Sequence, residues 1–421
     1  MRGKTNPKVV VLGGGFGGLE SAFYLRHKLG KKADITMVSD RDYFLYKPNT
    51  IYIPFGMDPE KLKIPLARPT KKKNIDFVQA KAMEIDPEQK QVKLSEGTVD
   101  YDYLVVATGA SMRAAEIPGL EQFARTIWTP EEMLKLRESL NQLRDNAKAG
   151  KQQELLFLVP PANKCSGPLY ELVFMTDSWL REAGIRDKVK VTYSTFERGF
   201  IQAFGPRLNE HVEGEFEKRG ITGLKEHTVK EVQKNRVDYT NGASVAYDVL
   251  VSFPPYIAAQ PFPGLPADER GFLATNLASR QLQGHPDIYV AGDAGDFPVK
   301  QAFLAFLQAD AVAEHIGSQI LGKPFEEAFE PVSMCVMEQF NTATFAKVPL
   351  RLTGRPELPV EVPPEAFDGY KLGSSPVWRV GKKMLGMYLP WRFRNGNPFH
   401  AGLPWTGMEA GLKVMSGLLA K

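Results

Sequence analysis

Apolar residues occur in two kinds of run near the start of the chain. Residues 8–12, KVVVL, form a short continuous apolar stretch that predicts a buried strand. Leu19 and Phe23 then recur at helical spacing, and a second strand pattern ends at Ser39 and Asp40. The order strand, helix, strand predicts a parallel βαβ unit.

Glycines occupy the junction between the first strand and the helix. The spacing Gly13-x-Gly15-x-x-Gly18 lets the backbone turn tightly, approach a pyrophosphate and pack the helix on the strand. Asp40 lies about 20 residues further on, where a carboxylate can hold a ribose hydroxyl. The pattern predicts dinucleotide binding, and the alternative is a glycine-rich turn in an unrelated α/β protein. The predicted contacts are Gly13, Gly14, Gly15, Phe16, Gly17, Gly18, Ser39 and Asp40.

Two later strands end in similar loops. YDYLVVATGA (101–110) runs into Thr108 and Gly109, and HPDIYVAGDAGDFP (285–298) runs into Gly292 and Asp293, before an apolar helix over about 301–321. This set resembles the two-dinucleotide-binding-domain flavoproteins. The resemblance implies that the first loop closes over FAD and that Asp293 binds its ribitol chain. It also implies an FAD domain interrupted by an insertion.

The inserted region looks like a degenerate copy of the βαβ unit at the start of the chain. LLFLVPPANKCSGPLYELVF (155–174) corresponds to VVVLGGGFGGLESAF (9–23), with prolines and Cys165 where the glycines stand. Proline lacks an N–H and side chains occupy the space of a pyrophosphate, so NAD(P)H binding in the usual manner is disfavoured. We therefore expect an α/β protein with two Rossmann-like domains, the second inserted in the first, and an amphipathic membrane-associating region at the C-terminus. The expected divisions are 1–112 and 258–330 for the FAD domain, 113–257 for the second domain and 331–421 for the C-terminal region.

Both cysteines of the chain lie in segments with a more specific resemblance. CSGPLYE (165–171) and MCVMEQFNTATFAKVPL (334–350), with SDRDYF (39–44) and FVQAKAMEID (77–86), resemble the sulfide:quinone oxidoreductases and the related flavocytochrome c sulfide dehydrogenase flavoproteins over nearly the whole chain. The resemblance implies that Cys335 is the flavin-proximal thiol, that Cys165 carries the sulfane sulfur and that Glu171 shuttles protons. Further cofactor contacts implied by the resemblance are Lys47, Ala82, Thr108, Gly109, Gly292, Asp293 and Lys300.

Each of these roles has a simpler alternative. Cys165 and Cys335 are otherwise ordinary buried thiols, and Glu171 is otherwise a surface helix residue. A helix beginning near Pro168 is expected to lower the pKa of Cys165. A third cysteine found in many of these oxidoreductases is missing, as is the cysteine that tethers FAD in the flavocytochromes, so FAD is expected to be non-covalent.

The C-terminal region mixes bases with apolar residues. Residues 369–408 contain six Lys or Arg and no acidic residue, interleaved with aromatic and aliphatic side chains, which favours a segment resting on anionic lipid. A helix packed on the protein's own core is the alternative. The predicted membrane contacts are Trp378, Leu389, Trp391 and Phe393. Candidates for an apolar quinone pocket are Phe303, Phe306, Phe340 and Phe345, for which core packing is the alternative.

Composition removes several other classes of function. The net charge of +4 is too small to imply nucleic acid, and Lys71–Lys73 is interpreted as a solvated loop. Six histidines without ligand spacing predict no metal. No apolar signal region precedes the first strand, and no apolar run approaches the ~18 residues of a spanning helix. We expect a peripheral membrane protein, with the side of the membrane and homo-oligomer formation left open.

The predicted function is oxidation of sulfide to sulfane sulfur or polysulfide through the cysteine pair, with electrons passing through FAD to a membrane quinone. The expected partners are sulfide, quinone and the bilayer surface. Three alternatives remain: a type II NADH:quinone dehydrogenase, a sulfide dehydrogenase flavoprotein that reduces a cytochrome, and a flavin-binding redox sensor without turnover.

Overall fold

The computed structural model describes residues 6–420, so the first residues of the segment expected to lack a signal region lie outside it. Its strands are β1 Lys8–Leu12, β2 Asp34–Ser39, β3 Tyr43–Leu45, β4 Lys63–Pro65, β5 Asp76–Gln79, β6 Ala82–Asp86, β7 Gln91–Leu94, β8 Thr98–Asp100, β9 Tyr103–Val106, β10 Ala110–Met112, β11 Arg125–Thr126, β12 Gln153–Val159, β13 Val189–Thr195, β14 Thr222–Leu224, β15 Val229–Gln233, β16 Arg236–Tyr239, β17 Ser244–Ala246, β18 Val249–Ser252, β19 Tyr256–Ala258, β20 Gln281–Leu282, β21 His285–Val290, β22 Val332–Glu338, β23 Ala343–Pro349, β24 Arg351–Arg355, β25 Leu358–Glu361 and β26 Lys371–Ser375. Its α-helices are α1 Phe16–Leu29, α2 Ala67–Lys72, α3 Leu120–Phe123, α4 Pro130–Lys148, α5 Gly167–Glu182, α6 Gly205–Arg219, α7 Ala302–Leu321, α8 Pro376–Arg394 and α9 Leu403–Leu419. Shorter 3₁₀ helices span Lys47–Phe55, Pro59–Leu62, Ala114–Glu116, Arg186–Lys188, Gln202–Phe204, Gly292–Ala294 and Pro364–Gly369.

The first sheet is the centre of the FAD domain. Its order is β20-β21-β9-β1-β2-β5, parallel from β21 to β5, with β20 as an antiparallel edge. Alternate side chains of β1 point to opposite faces: Val9 and Val11 pack with α1 and α7, and Val10 and Leu12 pack with the β6-β7-β8 meander. The carboxyl ends of β1, β9 and β21 therefore meet at one edge of the sheet, where a dinucleotide binds in this class of fold.

The second sheet repeats this arrangement. Its order is β11-β18-β12-β13-β14, all parallel, so β18-β12-β13 corresponds to β9-β1-β2. The same side-chain contact also occurs twice: Asp102 accepts a hydrogen bond from the Lys8 backbone at 2.7 Å, and Asp248 accepts one from the Glu154 backbone at 2.7 Å. The α/β class with two Rossmann-like units is confirmed.

The two sheets are joined where the chain crosses between them. β10 and β19 pair antiparallel, with Ala110 opposite Ala258, close to the expected divisions at residues 112 and 257. The C-terminal region adds the sheet β22-β23-β26 and the helices α8 and α9. The exact domain boundaries stay a prediction. Among the described residues, no helix is both long and apolar enough to span a bilayer.

Candidate active site

A cavity of about 690 Å³ lies at the carboxyl edge of the first sheet. Its wall combines the loops after β1, β9 and β21, the start of α5, the middle of β22, and residues of α7, α8 and α9. Of the predicted cofactor contacts, only Gly18 does not line it. Cys165, Glu171 and Cys335 line it as well.

The glycine loop leaves a space that fits a phosphate. A Cβ on Gly13 would lie 2.2 Å from the carbonyl oxygen of Ala107, and a Cβ on Gly18 would lie 1.9 Å from the carbonyl oxygen of Gly13. These two glycines are required by close backbone packing. Nothing lies within 4 Å of the same point on Gly15, which precedes α1. The open space at a helix N-terminus therefore fits the pyrophosphate of FAD.

The end of β2 supplies the polar groups next to this loop. The side chain of Asp40 is 65% exposed and forms an ion pair with Arg41, with 3.6 Å between Oδ1 and Nε. Ser39 is buried, and its Oγ accepts a hydrogen bond from the Arg41 backbone at 3.2 Å. Asp40 occupies the place of a ribose-binding carboxylate in this fold.

Two lysines with unusual environments line the deeper part of the cavity. The Lys47 Nζ lies 3.0 Å from the centre of the Trp128 ring, and burial lowers the pKa of Lys47 to about 7. Burial likewise lowers the pKa of Lys300 to about 7, although Asp293 opposes the shift. The Lys300 amine donates to the Gly295 carbonyl. Lys300 therefore lies at the cavity, in surroundings that lower the pKa of its amine.

Cys165 and Cys335 are both free thiols in the wall of this cavity. The Cys165 backbone N–H donates to Asn163 Oδ1 at 3.0 Å, and Gln301 Nε2 lies 2.6 Å from the Cys335 sulfur. Burial, and then the charge of the other thiol, raises the pKa of Cys165 above its ordinary value. Burial raises the pKa of Cys335 to about 11. The expectation that the α5 N-terminus lowers the pKa of Cys165 is wrong, because burial outweighs the helix.

Glu171 lies in a buried charge network, so the alternative of a surface helix residue is wrong. Its side chain is 12% exposed, forms an ion pair with Lys382, and accepts a hydrogen bond from the Glu338 backbone at 2.7 Å. Burial raises the pKa of Glu171, and Lys382 opposes the shift. The Glu338 carboxylate accepts from Tyr52 at 2.6 Å and from Arg379 at 2.9 Å. Two cations of α8 thus reach the strand that carries Cys335.

The 160–165 loop, which stands where the second domain would have its glycine loop, is held by one side-chain and one backbone hydrogen bond. Asn163 Nδ2 donates to the carbonyl of Phe253 at 2.8 Å, and the Tyr256 backbone N–H donates to the Ala162 carbonyl at 3.0 Å. These bonds tie the 160–165 loop to the segment that replaces the second ATG motif. The N–H groups that bind a pyrophosphate in an intact motif are missing at Pro160 and Pro161.

Comparisons with known proteins agree with this geometry. Residues 7–150 match the pyridine nucleotide-disulphide oxidoreductase family model. The sulfide-quinone reductase of Aquifex aeolicus is 28% identical over 415 residues, covering 92% of this chain and 91% of that protein. The X-ray structure of the sulfide:quinone oxidoreductase from the same bacterium matches with a TM-score of 0.85 and 26% identity, over 97% of this chain and 96% of that one. The resemblance to the sulfide:quinone oxidoreductases predicted from the sequence is confirmed.

These similarities confirm that the chain is a flavin-dependent oxidoreductase with FAD as its cofactor, in accord with the space beside Gly15. The framework is shared more widely. A type II NADH:quinone oxidoreductase of Staphylococcus aureus is 27% identical over 349 residues, covering 76% of this chain and 84% of that protein.

Three of the four phenylalanines predicted for the quinone pocket line the cavity: Phe303, Phe306 and Phe345. Phe340 does not, because its ring packs on Phe55 with 4.9 Å between ring centres. The sequence reasoning missed the α8 and α9 side of the wall, which consists of Lys382, Leu385, Leu389, Phe399 and Leu412. The helical spacing of Lys382, Leu385 and Leu389 can be read from the sequence, but nothing in the sequence shows that this face of α8 points towards the cavity.

Most of the predicted membrane contacts are buried in the protein core rather than exposed on its surface. Trp378 is 1% exposed and stacks on Phe345, with 4.1 Å between ring centres. Leu389 and Phe393 are also buried, so only Trp391 of the predicted set is exposed. The exposed apolar positions of α8 are instead Val377, Val380, Met384, Met387 and Trp391, called here the α8 outer face; Leu403, Val414 and Leu418 are exposed on α9.

A buried cluster of titratable groups lies outside the cavity wall. Glu20 of α1, Asp310 of α7 and His400 between α8 and α9 offer ligand-type atoms within 4.8 Å of one another, which the histidine spacing did not predict. The Glu20 carboxylate accepts from the backbones of Phe399 at 2.6 Å and His400 at 3.0 Å. The cluster therefore fixes the α8–α9 connection, and with it the ring of Phe399 in the cavity wall.

We expect Glu20→Gln to change the pH dependence of stability. Burial, and then the charge of Asp310, raises the pKa of Glu20 to about 8. The folded protein then holds a proton that the unfolded chain loses, so the free energy of unfolding falls between pH ~4.5 and ~8. Glutamine does not titrate, so the variant should gain on the order of 1–3 kcal/mol relative to wild type across this range.

The measurement is urea unfolding of both proteins at a series of pH values. Asp310 and His400 are unchanged in both, as are the groups around the cluster: Tyr24, Tyr388, Glu314, Glu327 and Glu409. Glu96→Gln, at an exposed site between β7 and β8, is the control. Parallel stability curves for wild type and Glu20→Gln would contradict the expected titration.

Proposed function

We propose that this chain oxidises sulfide at Cys165 and Cys335 and passes the electrons through FAD to a membrane quinone. The observation that carries the proposal is that both cysteines of the sequence, 170 residues apart, line the cavity that also contains the phosphate-binding glycine loop. The family relation to sulfide:quinone oxidoreductases supports the same assignment.

Sulfide oxidation at the two cysteines takes place in two steps. Hydrosulfide attacks a Cys165–Cys335 disulfide, so one S–S bond breaks and one forms, leaving a persulfide and a thiolate. Release of two electrons and the remaining proton joins these groups through the added sulfur into a trisulfide. The cavity wall around Gly15, Lys47 and Asp293 would hold FAD, which would supply a two-electron acceptor for this step and an electron donor for the quinone. Neither thiol has a low pKa, so the disulfide rather than a resting thiolate is the form that reacts with sulfide.

The chain also provides groups for the proton side of the reaction. A quinone takes up two protons as it is reduced, and Glu171 and Lys382 form an ion pair in the cavity wall. Burial raises the pKa of Glu171, so its carboxyl can take up and release a proton nearer to neutral pH. We assign the pair to proton transfer at the quinone end, where Leu385, Leu389 and Phe399 add apolar surface.

Attachment to a membrane follows from the exposed apolar surface rather than from the residues predicted first. The α8 outer face repeats at intervals of three and four residues over four turns, and α9 also exposes apolar side chains. Such helices rest in the interface with their apolar side chains in the lipid. A membrane quinone could then enter the cavity between α8 and α9.

NADH:quinone reduction is the second candidate, because type II NADH:quinone oxidoreductases are also similar to this chain. The loop closed by Asn163 argues against it. Anaerobic reduction of the bound flavin by sulfide or by NADH separates the two functions. We expect sulfide to reduce the flavin and added quinone to reoxidise it.

A further inference from the structure

Three consecutive lysines lie beside the membrane-facing part of the molecule rather than in an isolated loop. Helix α2 ends at Lys72 and packs near the end of α8. The Lys72 amine lies 3.0 Å from Asn395 Oδ1, and the Lys73 amine lies 2.8 Å from Asn397 Oδ1. Both asparagines follow the last residue of α8, so the lysines border the end of the α8 outer face at Trp391.

This corner of the molecule carries positive charge without countercharge. The chain has no acidic residue over 61–75 or over 369–408, and the structure packs these two segments together. Within residues 6–420, none of the exposed cations of these two segments takes part in a salt bridge; they are Lys61, Arg68, Lys71, Lys72, Lys383 and Arg394. Elsewhere a cluster of bases shares a carboxylate, since Arg181, Arg186 and Arg219 all form salt bridges with Asp177.

The position of these cations relative to the apolar surface indicates their partner. Lys383 lies one turn from Val380 and Met387, and Arg394 lies one turn beyond Trp391. Apolar side chains bordered by unpaired lysine and arginine match the boundary between lipid tails and negatively charged headgroups. Nucleic acid would use the charge but would leave five exposed apolar side chains in water.

We propose that Lys71 and Lys72 of α2 bind the headgroups of anionic phospholipids and, with Lys383 and Arg394, make attachment of this protein selective for anionic bilayers. The inference rests on the proposed membrane attachment and deepens it by naming the lipid class and a contact in the FAD domain. The apolar faces of α8 and α9 supply insertion, and the lysines supply the dependence on lipid charge.

The test is binding of the full-length FAD-loaded protein to vesicles, measured by co-sedimentation. The vesicles are phosphatidylcholine alone, or phosphatidylcholine with about 30% phosphatidylglycerol, in ~0.1 M salt. Each lysine near an anionic surface contributes about a fivefold increase in binding. We therefore expect Lys71→Gln with Lys72→Gln to weaken binding to the anionic vesicles about 25-fold and to leave binding to neutral vesicles unchanged.

Two further variants separate this inference from membrane attachment itself. Lys230→Gln with Lys234→Gln removes two exposed, unpaired lysines from the second domain and should bind like wild type. Met384→Lys with Met387→Lys should lose binding to neutral vesicles, and wild-type behaviour there would overturn membrane attachment by α8. Unchanged binding of the Lys71 and Lys72 variant to anionic vesicles would overturn the lipid selectivity alone. An equal loss on both kinds of vesicle would also overturn it.

Discussion

Replacing Cys335 by serine should lower sulfide-dependent quinone reduction by about three orders of magnitude or more while FAD stays bound. A serine hydroxyl cannot form the disulfide that hydrosulfide attacks, and it cannot give up electrons as a thiolate does. The substitution is nearly isosteric, and a serine hydroxyl can still accept the hydrogen bond that Gln301 donates to the Cys335 sulfur. The fold and the flavin absorbance should therefore be those of the wild type. The measurement is the steady-state rate with sulfide and a soluble quinone analogue.

Two further variants serve as a comparison and a control for Cys335→Ser. Cys165→Ser should cause a loss of similar size, since the bridge needs both sulfurs. Ser374→Ala removes a hydroxyl that lies 2.6 Å from Thr344 in the same three-stranded sheet, and it should keep most of the activity. Full sulfide oxidation by either cysteine variant would rule out the bridge as the site of sulfide attack.

Replacing Gly15 by valine should abolish FAD binding without unfolding the protein. The Cβ position at Gly15 has no neighbour within 4 Å, so the fold has room for a side chain there. The same space is the one in which the FAD pyrophosphate would lie against the N-terminus of α1. We expect flavin occupancy to fall at least about 100-fold, because the close approach of backbone and phosphate is lost. The ratio of flavin to protein absorbance after desalting measures this.

Gly214→Ala is a suitable control for this variant. Gly214 lies in α6 and also has no neighbour within 4 Å of its Cβ position, but it does not line the cavity. It should keep its FAD. Gly13→Ala, by contrast, should destabilise the whole protein, because its Cβ would lie 2.2 Å from the Ala107 carbonyl oxygen. Normal flavin content in Gly15→Val would show that the pyrophosphate lies elsewhere.

The repeated βαβ pattern was predictable because it depends on local periodicity. Strand runs, the glycine spacing and the proline-containing copy at 160–165 are all read within about 20 residues of sequence. Asp102 and Asp248 make the same contact in the two units, which supports the alignment of the two segments of sequence. The pairing of Cys165 with Cys335 came from the family resemblance, because no local pattern joins residues so far apart.

The predictions that were wrong concern which face of a helix is buried and which residues distant in sequence are in contact. Helix α8 has apolar residues all round, and Trp378, Leu389 and Phe393 turned out to face the core while Met384 and Met387 face outwards. Composition cannot distinguish the two faces of such a helix. The partner of Glu171 is 211 residues away in sequence, and the Glu20 cluster combines three separate elements. The pKa of Cys165 was predicted from the helix alone, whereas burial, which depends on the whole fold, dominates it.

The most direct test of the proposed function is the absorbance of the bound flavin under anaerobic conditions after addition of sulfide, and separately of NADH. The chemistry at Cys165 and Cys335 predicts bleaching by sulfide, recovery on addition of a quinone, and no bleaching by NADH. Bleaching by NADH and not by sulfide would contradict it, and would mean that the loop closed by Asn163 opens to bind a nicotinamide.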